Sequence, residues 1–384
     1  MGCGVIWLAV AAAIHSVRPQ LPDETAIDGV ARFSARRLLD APILTDRSAP
    51  ALVAETERNG YVNLNGPSLI HAPSWIDAPL GRYYLYFAHH KGDSIRLAYA
   101  DALAGPWTVH EAGVLTLANS HFPTERPPDS GIDALTDLWR RTSLTEFQAL
   151  VQVGRASQHA RAIRRKRETL GADETRPHIA SPDVIVDEER RELRMYFHGL
   201  VEGRVQMTRL AVSSDGTAFT ARPELLGPPY LRVARYRDQY YGLAMPGLLY
   251  RSVDGLADFE GRRRPLLGAN TRHSALWWQG DDLYVFFTRV GDSPERILCT
   301  RVDTIAEDWN DWEPSPPFEV LRPERPWEGA EVAPEPSLRG ESPHAVNELR
   351  DPAVFSEDGR LYLLYSVAGE HGIGIAELSP AEPR

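Results

Sequence analysis

Hydrophobic and polar positions along this 384-residue chain repeat one phrase five times: a short apolar strand, a turn, an aromatic-rich strand, a loop, a second apolar strand and a turn. The first copy starts at Pro67 (PSLIHAPSWIDAPL, RYYLYFAHH, SIRLAYADAL) and the second at Pro182 (PDVIVD, ELRMYFHG, VQMTRLAVS). The others start at Tyr230, His273 and Pro352. Strands of this length, rich in Tyr, Phe, Val, Ile and Leu and bounded by Gly, Asp and Pro turns, predict small antiparallel sheets. Their regular recurrence predicts a radial array, an all-β five-bladed β-propeller. A fourth strand follows most copies (FTARPELLGPP, FEGRRRPLLGA, WEPSPPFEVLRPE), but the fifth copy runs out near Leu378. The stretch Phe33–Pro42, FSARRLLDAP, has the same pattern and is expected to supply the missing outer strand, closing the ring.

Two insertions break the rhythm. Residues 121–177, between blades one and two, read as helical by period, with Leu135, Leu138, Trp139, Phe147, Leu150 and Val151 as an apolar stripe. Residues 324–350 are loop-like, rich in Pro, Glu and Gly. The propeller is therefore expected over 30–384, with 1–29 as a leader. Gly4–Ile14 is apolar like a secretory h-region but lacks a basic n-region, and it is short for a membrane span. Signal peptide, mis-assigned start and ordinary helix stay open, and with them a cytoplasmic or secreted location. No other stretch could cross a membrane.

Composition narrows the chemistry. A net charge of -11 argues against a nucleic-acid surface. Two cysteines, Cys3 and Cys299, exclude a disulfide framework, and Cys299 reads as a small buried hydrophobe. Nothing in the chain sets an oligomeric state.

Propeller geometry then sorts the polar residues. Inner strands start at one face of the channel, and loops between second and third strands return to it. That brings together Asn65, Ser181, Asp183, Arg272, His273, Arg350 and Asp351 with His89, His90, Lys91, Asp93, His198, Arg289, Asp292, Glu295, Glu370 and His371. His178 precedes the second inner strand, and the later insertion adds Glu328, Glu331, Glu335, His344 and Glu348. So many ionisable groups at one rim read as a site. Structural readings stand beside it: Asp183 could hold amides of a neighbouring blade, Asp351 could brace a turn, and Trp277 and Trp278 could pack between blades. The imidazoles could hold a cation, with His178 and His273 as candidate ligands. However, no HExxH or CxxC spacing is present. No cofactor is required, and a structural Ca2+ or other cation in the channel stays open.

The phrases NGPSLI…YYLYFAHH, SPDVIVD…LRMYFHG and LRDPAVF…LYLLYSVAGEHGIGIAEL resemble the five-bladed β-propeller glycoside hydrolases. The likeness is strongest to family 43, with distant likeness to the invertase and levansucrase, family 117 and family 130 groups. It implies action on a carbohydrate substrate by acids on the inner strands. It also implies an Asp general base at the first inner strand, where this chain has Asn65-Gly66-Pro67; an amide cannot act as a base. The Asp-Pro phrase falls instead at Arg350-Asp351-Pro352. The expected function is a glycoside hydrolase, with a phosphorylase or lyase, or a non-catalytic carbohydrate-binding propeller, as alternatives. Two carboxyls must flank the scissile bond. Asp183 and Asp351 are the expected acidic players, with Glu335 or Glu331 as a general acid whose pKa is raised by burial under the loop. Asn65, His89, His90, His198, His273, Arg289, Arg350 and His371 are expected to bind substrate.

Overall fold

The computed structural model describes residues 32–126, 176–202 and 205–380, all within the compact unit Arg32–Arg384. The leader and nearly all of the helical insertion, including its apolar stripe, lie outside the described residues. The architecture is a five-bladed β-propeller. The inner strands are Asn65–His71, Ile179–Asp187, Arg232–Tyr236, Thr271–Gln279 and Arg350–Glu357. Each is followed outward in its blade by antiparallel neighbours in the expected order. The short fourth strands Thr220–Ala221, Glu260–Gly261 and Glu313–Pro314 fall inside the anticipated segments.

Phe33–Arg37 forms the outermost strand of the fifth blade, pairing Phe33 with Pro380 and Arg37 with Ala376. Its chemistry explains the docking. Phe33 packs edge-on to Trp277 and Tyr284 of blade four. Arg37 reaches the start of the 324–350 loop, where Nε and Nη2 donate to the Glu328 carboxylate at 2.7 and 2.8 Å. Glu328 is fully buried and also accepts from Tyr365 Oη at 3.0 Å and from the backbone of Glu324 and Arg325. The strand that closes the ring therefore also anchors the loop.

Apolar side chains form a cluster between each pair of neighbouring blades rather than one central core. Tyr86 and Phe197 join blades one and two, Tyr196 and Tyr250 two and three, Leu243 and Val285 three and four, Phe286 and Tyr365 four and five, and Leu85 and Leu364 five and one. Trp277 and Trp278 belong to these seams: Trp278 stacks on Tyr236 at 3.7 Å, which leaves neither free to stack on a sugar. Cys299 is buried in the seam between blades four and five. The middle of the ring is left to polar residues.

One helix, Pro50–Asn59, was not anticipated. Its Pro at the first turn and the left-handed Gly60 at its C-cap (φ 82°) are ordinary end signals. Only Leu52 and Glu55 are buried, too few for an apolar stripe to stand out in sequence. Glu55 sits beneath the first blade's hub loop, 3.3 Å from Arg96. Among the described residues no helix is long and apolar enough to cross a membrane.

Candidate active site

Four of the five inner strands share an irregularity that decides which side chains reach the hub. Pairing with the second strand skips two residues between Asn65 and Ser68, Ala180 and Asp183, Thr271 and Ser274, and Arg350 and Ala353. The first residues skipped are Gly66, Ser181, Arg272 and Asp351. Three of these, with Tyr230 at the start of blade three, are left-handed: Gly66 (φ 59°), Ser181 (50°), Tyr230 (61°) and Asp351 (49°). A left-handed backbone at non-glycine residues is costly, and such strain gathers at functional sites.

This register corrects two expectations. The position matching Asp351 in the first blade is Gly66, not Asn65. A Cβ on Gly66 would stand 2.5 Å from Ser181 Cα, so no base fits there. In blade two the matching residue is Ser181, and Asp183, two places on, has left the hub. Its Oδ2 accepts the Val233 N–H at 2.7 Å and its Oδ1 lies 3.2 Å from Arg232 Nη1, so it ties blade two to blade three. The structure does not bring Asp183 against Asp351. Burial raises the Asp183 pKa, with Arg232 opposing. Gly66→Asp is accordingly expected to destabilise the fold by about 2–5 kcal/mol rather than create a base, from overpacking plus the left-handed φ. Urea denaturation checks this, and an unchanged midpoint would refute the crowding.

Around the hub the buried carboxylates of Asp351, Glu370, Glu295 and Glu348 each have a nitrogen partner. His273 Nδ1 stands 2.5 Å from Asp351 Oδ1, off the line of a good hydrogen bond, and Ser366 Oγ donates to Asp351 Oδ2 at 2.9 Å. Burial alone would raise the Asp351 pKa, but His273 and Ser366 outweigh it and hold the carboxyl below its usual range. Glu370, fully buried, accepts from Asn63 Nδ2 at 2.5 Å and from the Ser342 N–H at 3.2 Å. It also faces His90 at 3.3 Å and Arg350 at 3.6 Å. His90 in turn contacts Asn65 Nδ2 at 3.1 Å and Tyr230 Oη at 3.3 Å. Arg272 pairs with Glu295 at 3.1 Å.

A cavity of about 280 Å³ opens above this cluster, under the 324–350 loop. Glu335, Glu341, His344, Asn347, Glu348 and Arg350 line it. Arg350 Nε donates to Glu348 Oε2 at 2.7 Å. Burial raises the Glu348 pKa; Arg350 opposes it and Glu295 adds to it. Glu348 therefore has the property expected of Glu335. Glu335 and Glu331 are both exposed, because the loop turns them outward, and only Glu335 lines the cavity.

The remaining expected residues are dispersed. His89 turns toward Tyr61 O at 3.5 Å, and burial lowers its pKa to about 4. Arg289 pairs with Asp292 at 3.3 Å on the rim. His371 belongs to the backbone bridge to Leu64, with its pKa lowered by burial. His178 engages Arg176 O and Gln206 and is not gathered with His273; among the described residues no group of three or more His, Cys, Asp or Glu could hold a metal ion. His198 is buried beside Tyr230, ring centroids 4.3 Å apart. Tyr230 and Asn63 were missed. Aligning the five strand starts would have exposed Tyr230, whose site-facing role no charge advertises.

No protein-family model matches the chain. The uncharacterized protein R118 of Acanthamoeba polyphaga mimivirus is 32% identical over 342 residues, covering 83% of this chain and 84% of that protein. Among solved structures, a family-43 β-xylosidase/α-arabinofuranosidase from a compost microbial metagenome, bound to xylotriose, has a TM-score of 0.51 at 12% identity. It covers 92% of this chain and 96% of its own. A family-43 enzyme from Xanthomonas citri has a TM-score of 0.50 at 11% identity, covering 89% and 91%. These likenesses establish the fold.

Proposed function

We propose that this chain, which belongs to one protein family with the mimivirus protein R118 and shares the five-bladed propeller of the family-43 glycoside hydrolases, is a glycosidase whose acids have moved to the blade-five side of the hub. The observation that carries this reading is Glu348: a carboxyl whose pKa burial raises, on the wall of a cavity large enough for a sugar ring, with Arg350 against it. A general acid needs that combination of access and raised pKa. Glu348 would protonate the departing glycosidic oxygen. Asp351 and Glu370, their pKa values held down beside His273 and Arg350, would keep the hub behind the cavity electronegative as positive charge develops on the sugar. Asn347 and His344 would take hydroxyls.

One observation favours a second reading, a propeller that binds carbohydrate without cleaving it. The first two blades present Gly66 and Ser181 to the hub, neither with a carboxylate. The xylosidase/arabinofuranosidase neighbour suggests the first substrates to try. The chain is incubated with aryl xylosides, arabinofuranosides and galactosides and with xylo-oligosaccharides. Release of the aryl group or of shorter sugars supports a glycosidase. Calorimetric binding of an oligosaccharide without products supports the second reading, and neither result rejects both.

A further inference from the structure

Tyr230 is only 5% exposed, yet it belongs to none of the five apolar seams. Its ring packs instead on imidazoles of the hub. The ring centroids lie 4.3 Å from His198, 4.4 Å from His273 and 6.3 Å from His90. Its hydroxyl is 3.3 Å from His90 Nε2. The residue is also left-handed (φ 61°), a conformation that a bulky side chain holds only under constraint and that gathers at ligand clamps and switches.

The polar groups around this ring are under-used. His198 is fully buried, and neither of its ring nitrogens has a hydrogen-bond partner. His273 Nδ1 and Asp351 Oδ1 stand 2.5 Å apart without hydrogen-bond alignment. Asn65 Nδ2 is on His90 at 3.1 Å, but its buried Oδ1 has no partner. Such groups are normally satisfied. A phenol is a six-membered ring with one hydroxyl. A pyranose has the same ring size and carries hydroxyls around its edge, each both donor and acceptor. The charges of Asp351 and Glu370 act on the Tyr230 hydroxyl ahead of that of Arg272, so a neutral ring suits this place better than an anionic one.

We propose that Tyr230 is a displaceable plug: its ring holds the place of a neutral pyranose at the hub, and the sugar binds there when the side chain withdraws. A chain of contacts joins this place to the cavity. Arg350, on the cavity wall, is 3.6 Å from Glu370, and Glu370 is 3.3 Å from His90. A site that is mostly closed binds more weakly in proportion to the fraction that is open. The plug stands whether or not the protein cleaves a glycosidic bond.

Isothermal calorimetry on the full chain tests this with xylose, and with phenol as the apolar ring. Tyr230→Gly removes the plug and suits the left-handed backbone. It is expected to bind xylose at one saturable site at least tenfold more tightly than the parent does. Binding of phenol without xylose would show that Tyr230 merely fills a hole, and overturns the proposal. Equal xylose affinity in parent and variant, or no xylose binding by the variant, also overturns it. A second measurement does not depend on that variant folding. Saturating xylose is expected to change the near-ultraviolet tyrosine circular dichroism of the parent and not that of Tyr230→Phe, which keeps the plug's shape. An unchanged parent spectrum overturns the displacement.

Discussion

Glu370→Ala is expected to lower the free energy of unfolding by about 3–5 kcal/mol, the usual cost of removing one partner from a buried charge cluster. Four groups lose their acceptor at once: Asn63 Nδ2, the Ser342 N–H, His90 and part of Arg350. None has water to replace it, since Glu370 is 0% exposed. Chemical denaturation at neutral pH reads the effect, and a loss under about 1 kcal/mol would mean that the cluster is not pre-paired as described. Burial alone would raise this carboxyl's pKa, but His90 and the arginines reverse that and push it well down. The folded protein thus holds the Glu370 proton less tightly than the unfolded chain does. Its contribution is present above about pH 4.3, the ordinary glutamate value, and is lost as pH falls through the lower folded-state value. Glu370→Gln should remove that segment of the acid-stability curve, whatever its effect at pH 7.

Glu348→Gln is expected to cut turnover by about 10²–10⁴-fold on whichever glycoside the parent cleaves, the range for losing a general acid, with KM little changed. The amide keeps the shape and an acceptor for Arg350 but has no proton to give. A general acid must be protonated to act, so the parent's rate should fall as pH rises through the raised Glu348 pKa. That alkaline limb should vanish in the residual activity of the variant. A structural role for Glu348 would lower activity without moving the pH profile, so an unmoved alkaline limb would remove it from the mechanism.

How far the sequence could be read depended on the scale of the feature. The repeat of aromatic second strands is a property of whole segments, and so it announced the blades. FSARR could be recognised as an outer strand because FTAR and FEGR repeat its pattern. The grouping of hub residues followed from strand direction alone. What could not be read was register at single-residue resolution. A left-handed φ at Ser181 or Asp351 leaves no mark in composition, yet it decides that Ser181 faces the hub and Asp183 the next blade. Glu335 and Glu348 were equal as letters. Their exposure differs because the loop's path is fixed by Arg37 gripping Glu328 from 291 positions away. The side chain of His198 was placed at the rim, but only the structure shows that it is fully buried with neither ring nitrogen hydrogen-bonded.

Ring closure by an early strand has a cost in time. Arg36 meets Glu377 from 341 positions away. At about 5–20 residues per second of synthesis, Phe33–Arg37 waits roughly 17–70 s for its partner to emerge from the ribosome. Throughout that wait the anchor for the cavity's roof is absent, so nascent chains should acquire four blades before they acquire a working site.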